Sequence, residues 1–154
     1  EVAAEARSEP PLVAGNICNT NIYSPGDRSA AMQVRKMFEE QITWAFEAEV
    51  DFVIAETIRF HGEAQLALES IKRVGLPAVV MLVVDGDEVL RDGVPIEEAC
   101  RRLEQEGADV VGLNCSRGPI TMLPLLQRIR NTDRHKACRR GLATLTAECS
   151  SRRG

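Results

Sequence analysis

Asp51-Phe52-Val53-Ile54-Ala55-Glu56 is a short, almost unbroken apolar run closed by a carboxylate. A strand with one face in water alternates apolar and polar residues, whereas a strand covered on both faces does not. The run therefore reads as a buried parallel strand. Leu12 to Cys18, Pro77 to Val84 and Asp109 to Cys115 have the same character, each rich in Val, Ile, Leu and Ala.

Helical patterns separate the runs. Val34, Met37, Phe38, Ile42 and Ala45 share one face of a helix over roughly 29–48. Ala64, Ala67, Leu68, Ile71 and Val74 form the second stripe, Ile96, Ala99, Cys100 and Leu103 the third, and Met122, Leu123, Leu126 and Ile129 the fourth. Each keeps the i, i+3, i+4, i+7 spacing of a helix laid against a sheet. Pro95 is expected as a first helical residue, with Glu97 and Glu98 at the positive end of the helix dipole. Gly75 and Gly107 are expected as left-handed C-terminal caps. Pro124 requires its helix to begin near Thr121, since an interior proline breaks a helix.

Strict alternation of strand and helix, with strands about every thirty residues, implies a parallel sheet with right-handed crossovers. Two α/β architectures fit: an open doubly wound sheet, or half of a (β/α)₈ barrel, which usually needs about 250 residues. Periodicity does not choose between them. Residues 1–11 read as the end of an earlier helix and its loop, 12–130 as the α/β unit, and 131–154 as a divergent basic tail. Within that tail Gly141 to Thr146 is a candidate fifth strand. A chain beginning at Glu1 reads as a partial one.

The 44% hydrophobic and 27% charged content is that of a globular chain. No apolar run approaches the roughly 20 residues of a bilayer span, and the polar, acidic start does not fit a secretory signal. A net charge of −4 with interspersed signs argues against nucleic-acid or anionic-membrane partners. The five cysteines contain no C-x-x-C pair, so a reducing cytoplasm fits better than a disulfide framework, and no complete zinc set lies among neighbouring cysteines.

In both architectures ligands meet the carboxyl ends of the strands. Those ends read Asn16-Ile17-Cys18-Asn19, Ala55-Glu56-Thr57 and Leu113-Asn114-Cys115-Ser116, while the third passes without chemistry into Asp85-Gly86-Asp87. Glu56 is the sharpest signal. Burying a carboxylate unpaired costs several kcal/mol, so a cationic partner or a raised pKa is expected. Spacing leaves two readings open: a ligand for an amine or a general base, and a structural acid paired with an arginine such as Arg59. Cys115 has the chemistry of a nucleophile or metal ligand, and equally that of a small buried residue; Cys18 is comparable, and Cys100 reads as core. His61 is expected in solvent at a helix start, and Trp44 as packing.

Val13-Ala14-Gly15-Asn16-Ile17-Cys18-Asn19-Thr20, Val50-Asp51-Phe52-Val53-Ile54-Ala55-Glu56-Thr57 and Gly107-Ala108-Asp109-Val110-Val111-Gly112-Leu113-Asn114-Cys115 together resemble homocysteine S-methyltransferases, the betaine–homocysteine methyltransferase-like branch in particular. The resemblance runs from Leu12 to Arg130. It implies a (β/α)₈ barrel of which these four βα units are strands three to six. It implies zinc held by three thiolates, of which Cys115 matches one, and homocysteine held through its amino group by Glu56. Asn16 and Thr57 are substrate-binding candidates beside it, and the implied methyl donor is betaine-like. Against that pattern there is no adjacent Cys-Cys pair, and Thr57 stands where betaine-specific members carry tyrosine. The expectation is a fragment of a zinc-dependent methyltransferase, inactive alone. The alternative is a non-catalytic module whose open sheet edges pair it with a partner or with a second copy as a homo-oligomer.

Overall fold

A computed structural model describes residues 11–132 except Asp87. The tail, Cys138, Cys149 and the candidate strand at Gly141 to Thr146 lie outside the described residues. The element order is β1 (Ala14–Cys18), α1 (Arg28–Glu47), β2 (Phe52–Ile58), α2 (His61–Arg73), β3 (Ala78–Leu82), α3 (Ile96–Gln105), β4 (Val110–Leu113) and α4 (Pro119–Thr132). The four strands form one parallel sheet in the order β1-β2-β3-β4.

That order decides what periodicity could not. A right-handed crossover stepping always in the same direction drops every helix on the same face of the sheet. A doubly wound sheet must reverse its stepping to cover both faces, and this sheet never reverses. Burial agrees: Ile17, Val53, Ala55, Ala78, Val80 and Leu82 form a continuous core with Val34, Phe38, Ile42, Leu68, Ile71 and Leu103 from the helices. On the alternate positions Asn16 and Cys18 are exposed, and Ile54, Glu56, Val79 and Met81 are half-buried. The described helices therefore cover one face only, as in a barrel wall. Two-sided coverage was expected from the unbroken runs; Ile54, Val79 and Met81 are apolar too, and so hide the alternation.

Two aspartates pin the register. The Asp51 carboxylate accepts the Val13 N–H at 2.7 Å, while the Asp51 N–H donates to the Val13 carbonyl at 2.8 Å. The Asp109 carboxylate accepts the Ala78 N–H at 2.8 Å, and its N–H donates to the Ala78 carbonyl at 2.9 Å. Each aspartate thus grips the neighbouring strand just before its own strand begins. A one-residue slip would break both bonds and invert every side chain.

The helix ends follow their capping chemistry. Asp27 caps α1, accepting from the Ser29 and Ala30 N–H groups at 2.8 and 3.1 Å. After α3, Gly107 (φ 103°) donates to the Glu104 carbonyl and Ala108 to that of Leu103, the paired bonds of a Schellman ending. Gly75 (φ 74°) likewise follows α2. The same ending closes α1 with Glu49 in the left-handed position (φ 54°), its N–H on the Phe46 carbonyl and that of Val50 on Ala45. Pro95 proves to be the N-cap of α3, one residue ahead of the helix proper, with Glu97 and Glu98 in the first turn. α4 begins at Pro119, two residues before the expected start, so Pro124 lies inside it. Its ring nitrogen leaves the Ile120 carbonyl without its usual donor, and Ile120 is among the most exposed residues. Trp44 is also mostly exposed, not packed, because it flanks the stripe carried by Phe38, Ile42 and Ala45. No described helix is long and apolar enough to cross a membrane.

Candidate functional site

The carboxyl rim of the sheet gathers Asn16, Glu56, Thr57 and Asn114. Glu56 faces Cys18 in the β1–β2 register and shares the uncovered face of the sheet with Asn16. It is not the last residue of its strand as expected: β2 continues to Ile58, which pairs with Leu82 after a register shift between Ala55 and Ile58. Glu56 and Thr57 are the residues in that shift. Thr57 adopts φ 62°, a left-handed conformation costly for a β-branched side chain.

Hydrogen bonds explain how the strained pair is held. The Thr57 N–H donates to Asn114 Oδ1 at 3.1 Å. Asn114 Nδ2 donates to Glu56 Oε2 at 3.1 Å and to Thr57 Oγ1 at 3.0 Å. A backbone N–H only donates and a carboxylate only accepts, so this pairing fixes which end of the asparagine amide points where. Asn16 Nδ2 donates to the other oxygen, Glu56 Oε1. Flat strands would set β2 and β4 roughly 9.6 Å apart, two strand spacings, beyond one asparagine side chain. The shift at Glu56 and Thr57 is a local departure from that flat geometry, where Asn114 reaches over the end of β3.

Each carboxylate oxygen of Glu56 thus takes one amide N–H, and among the described residues no cationic side chain pairs with it. Arg59, the expected partner, instead meets Asp85 at 2.8 Å. The β3 terminus is busier than it reads. Asp85 also takes Arg91 at 3.1 Å, and its carbonyl accepts from Arg117 at 2.8 Å. The Arg91 hydrogen bond foremost, and Arg59 with it, hold the Asp85 carboxyl below its usual range.

Cys115 follows Asn114 at the same rim. It is exposed and left-handed (φ 59°), as is Ser116 (φ 53°). Its strand and that of Glu56 are separated by β3 rather than adjacent. Cys18 is exposed, with its Sγ donating to Asn19 Oδ1 at 3.0 Å, and Cys100 is core. Among the described residues no three His, Cys, Asp or Glu side chains gather as a metal ion needs. The described residues thus do not amount to the implied zinc centre, of which Cys115 is the single expected member among them.

Below the rim lies a polar layer the sequence reading missed. Glu63, 1% exposed, accepts from both the N–H and the hydroxyl of Thr20, each at 2.7 Å. His61 is buried, not solvent-exposed as expected, and neither ring nitrogen has a hydrogen-bond partner. Burial lowers its pKa, and Arg102 adds to this against the opposing pull of Glu106, Asp92 and Glu98. The periodicity held the signal: His61 stands three and seven residues before Ala64 and Leu68, on the apolar stripe. Tyr23 stacks tilted on Phe60 at 5.3 Å. Burial, then Asp92 and Glu63, raise its phenol pKa.

The fold and sequence have known counterparts. The structure superposes on the apo homocysteine methyltransferase MmuM of Escherichia coli with a TM-score of 0.70 at 17% identity, over 85% of this chain and 48% of that one. The S-methylmethionine–homocysteine S-methyltransferase BHMT2 of Pongo abelii is 35% identical over 119 residues, covering 77% of this chain and 32% of its own. The betaine–homocysteine S-methyltransferase 1 of Danio rerio is 34% identical over 121 residues, covering 79% and 29%. The chain spans about a third of the length of these curated relatives. The homocysteine S-methyltransferase family model matches residues 1–146, and on that match the chain belongs to the homocysteine S-methyltransferase family.

Proposed function

We propose that this chain is the homocysteine-holding sector of a homocysteine S-methyltransferase, strands three to six of its barrel, with Glu56 receiving the amino group of the substrate. One observation carries the reading: a half-buried carboxylate is held by two amide donors and has no cation among the described residues. A carboxylate offers about four lone-pair directions; two are taken, and an ammonium group supplies both the donors and the charge for the others. Asn16 and Thr57 line the same place.

The reaction so proposed moves a methyl group from a betaine-like donor to the homocysteine sulfur. The sulfur–carbon bond forms as the carbon–nitrogen bond breaks, and its electron pair returns to the nitrogen. A free thiol with a pKa near 8.5 is largely protonated at neutral pH; bound zinc would supply the thiolate. Cys115 is the zinc-ligand candidate the resemblance points to, and the isolated chain is expected to show no turnover. What its own residues do is orient: anchoring the amino acid end of the nucleophile fixes the approach of its sulfur.

Calorimetric titration with L-homocysteine and with 4-mercaptobutanoate, which lacks only the amine, tests this. A charge-assisted hydrogen bond worth about 1.5–3 kcal/mol predicts roughly a 10- to 150-fold preference for the amine, lost in Glu56→Gln. Equal binding of the two ligands would sink the assignment. The second reading, a self-associating module, draws on the outer edges of β1 and β4, which no described strand pairs, and on exposed Leu12, Val13, Trp44 and Leu123. A monomer on a sizing column would remove it.

A further inference from the structure

We infer that Asn114 is the positioning residue of this rim, setting the Glu56 carboxylate for an ammonium group while touching no ligand itself. The inference rests on the Glu56 reading above. Asn114 uses both ends of its amide on β2: the oxygen takes the N–H of left-handed Thr57, and the nitrogen serves Glu56 Oε2 and Thr57 Oγ1. Its own N–H donates to the Leu82 carbonyl at 3.1 Å, so its backbone is anchored to β3 while its side chain spans to β2.

Geometry makes the assignment more than a contact. A register shift lets the chain around Glu56 adopt several paths, because the ladder is interrupted between Ala55 and Ile58. Asn114 holds the one observed twice over, once through the backbone of Thr57 and once through the carboxylate. Asn16 then fixes the remaining oxygen from the other side. With the two amides on opposite sides, the carboxylate is restrained from rotating about its last bond. An ammonium ion met by such a group loses less on binding than one that must order it.

Two roles must be separated: holding the turn at Thr57 and aiming Glu56. Glycine accepts a left-handed φ without strain, so Thr57→Gly supplies the turn without help from Asn114. The readout is the ratio of dissociation constants for 4-mercaptobutanoate and L-homocysteine, measured calorimetrically on the full chain, with circular dichroism checking the fold. Asn114→Ala is expected to lower that ratio about tenfold or more, and Asn114→Ala/Thr57→Gly to stay equally low against Thr57→Gly alone. Should Asn114→Ala fold poorly, the Thr57→Gly background carries the comparison. Equal weakening of both ligands, or recovery of the ratio in the double variant, would mean Asn114 only supports the turn and would overturn the inference. Glu56→Gln is read alongside: if it leaves the ratio unchanged, or the unsubstituted chain binds neither ligand, the Glu56 reading falls and takes this one with it. If Glu56→Gln abolishes the ratio while Asn114→Ala preserves it, positioning by Asn114 alone is refuted.

Discussion

Replacing Glu63 by alanine should destabilise the chain more than any other single change near the rim. The carboxylate is 1% exposed and accepts two hydrogen bonds from Thr20, both at 2.7 Å. Hydrogen bonds to a charged group contribute about 1.5–3 kcal/mol each, so two give about 3–6 kcal/mol gross. Relief of the cost of burying the charge reduces this, and a net loss of about 3 kcal/mol is expected. That is a large share of the roughly 5–15 kcal/mol holding a domain together. At about 2–4 °C per kcal/mol for a chain of this size, the midpoint should fall by about 6–12 °C. Glu63→Gln keeps an acceptor oxygen in place and should cost only about 1 kcal/mol. Thermal unfolding followed by circular dichroism measures both. A Glu63→Ala chain within about 1 kcal/mol of the parent would refute the argument that Glu63 clamps the loop after β1. So would a glutamine variant as weak as the alanine one.

Glu49→Gly should raise stability, because relieving a left-handed non-glycine residue yields about 1–2 kcal/mol against about 0.4–1 kcal/mol of added unfolded-chain freedom; a lowered melting temperature would contradict it. Gly62→Ala should cost about 1–3 kcal/mol by overpacking, since the new Cβ would lie 2.0 Å from the Tyr23 hydroxyl oxygen and 2.9 Å from Cζ. Adding Tyr23→Phe should recover part of that loss in the same melt. His61 should make the chain acid-sensitive. Its folded pKa lies below the unfolded value of 6.5, so the unfolded chain takes up the proton first, and stability falls as pH drops through 6.5 toward the lowered value. Between pH 7.5 and pH 5, His61→Leu should lose less melting temperature than the parent; parallel losses would exclude His61 as the cause.

The strands were legible because apolar runs closed by Asn, Glu or Cys need no tertiary information to be noticed, although β2 runs two residues past Glu56 to Ile58. The helix stripes were largely legible for the same reason, but on α4 the expected Leu123 is exposed and Leu125 is buried instead; the Gly75 and Gly107 endings came from chemistry local to the chain. What sequence could not supply was the stepping direction of the sheet, which lies in crossover geometry and chose the barrel-like order over a doubly wound one. Nor could it pair Glu56 with amides rather than with Arg59, because Asn114 is 58 residues away. Glu63 was passed over and His61 misread for a different reason: a charged or titratable residue at a helix start usually faces water. Here Thr20 meets Glu63 and Tyr23 lies against Gly62, between the two.

The aspartate grips at Asp51 and Asp109 have a counterpart at the opposite end of the same strands. Counting five and six residues on from each aspartate reaches Glu56 and Thr57 in one case, Asn114 and Cys115 in the other, and Thr57 and Cys115 share nearly the same backbone angle, 62° and 59°. β2 and β4 therefore repeat one local pattern, an aspartate grip ahead of the strand and a left-handed residue six positions on. The hydrogen bond from Asn114 to Glu56 joins equivalent positions of the two. Each partner in that bond has its height set by an aspartate at the far end of its own strand, so loosening either grip would pull one end of the contact out of line.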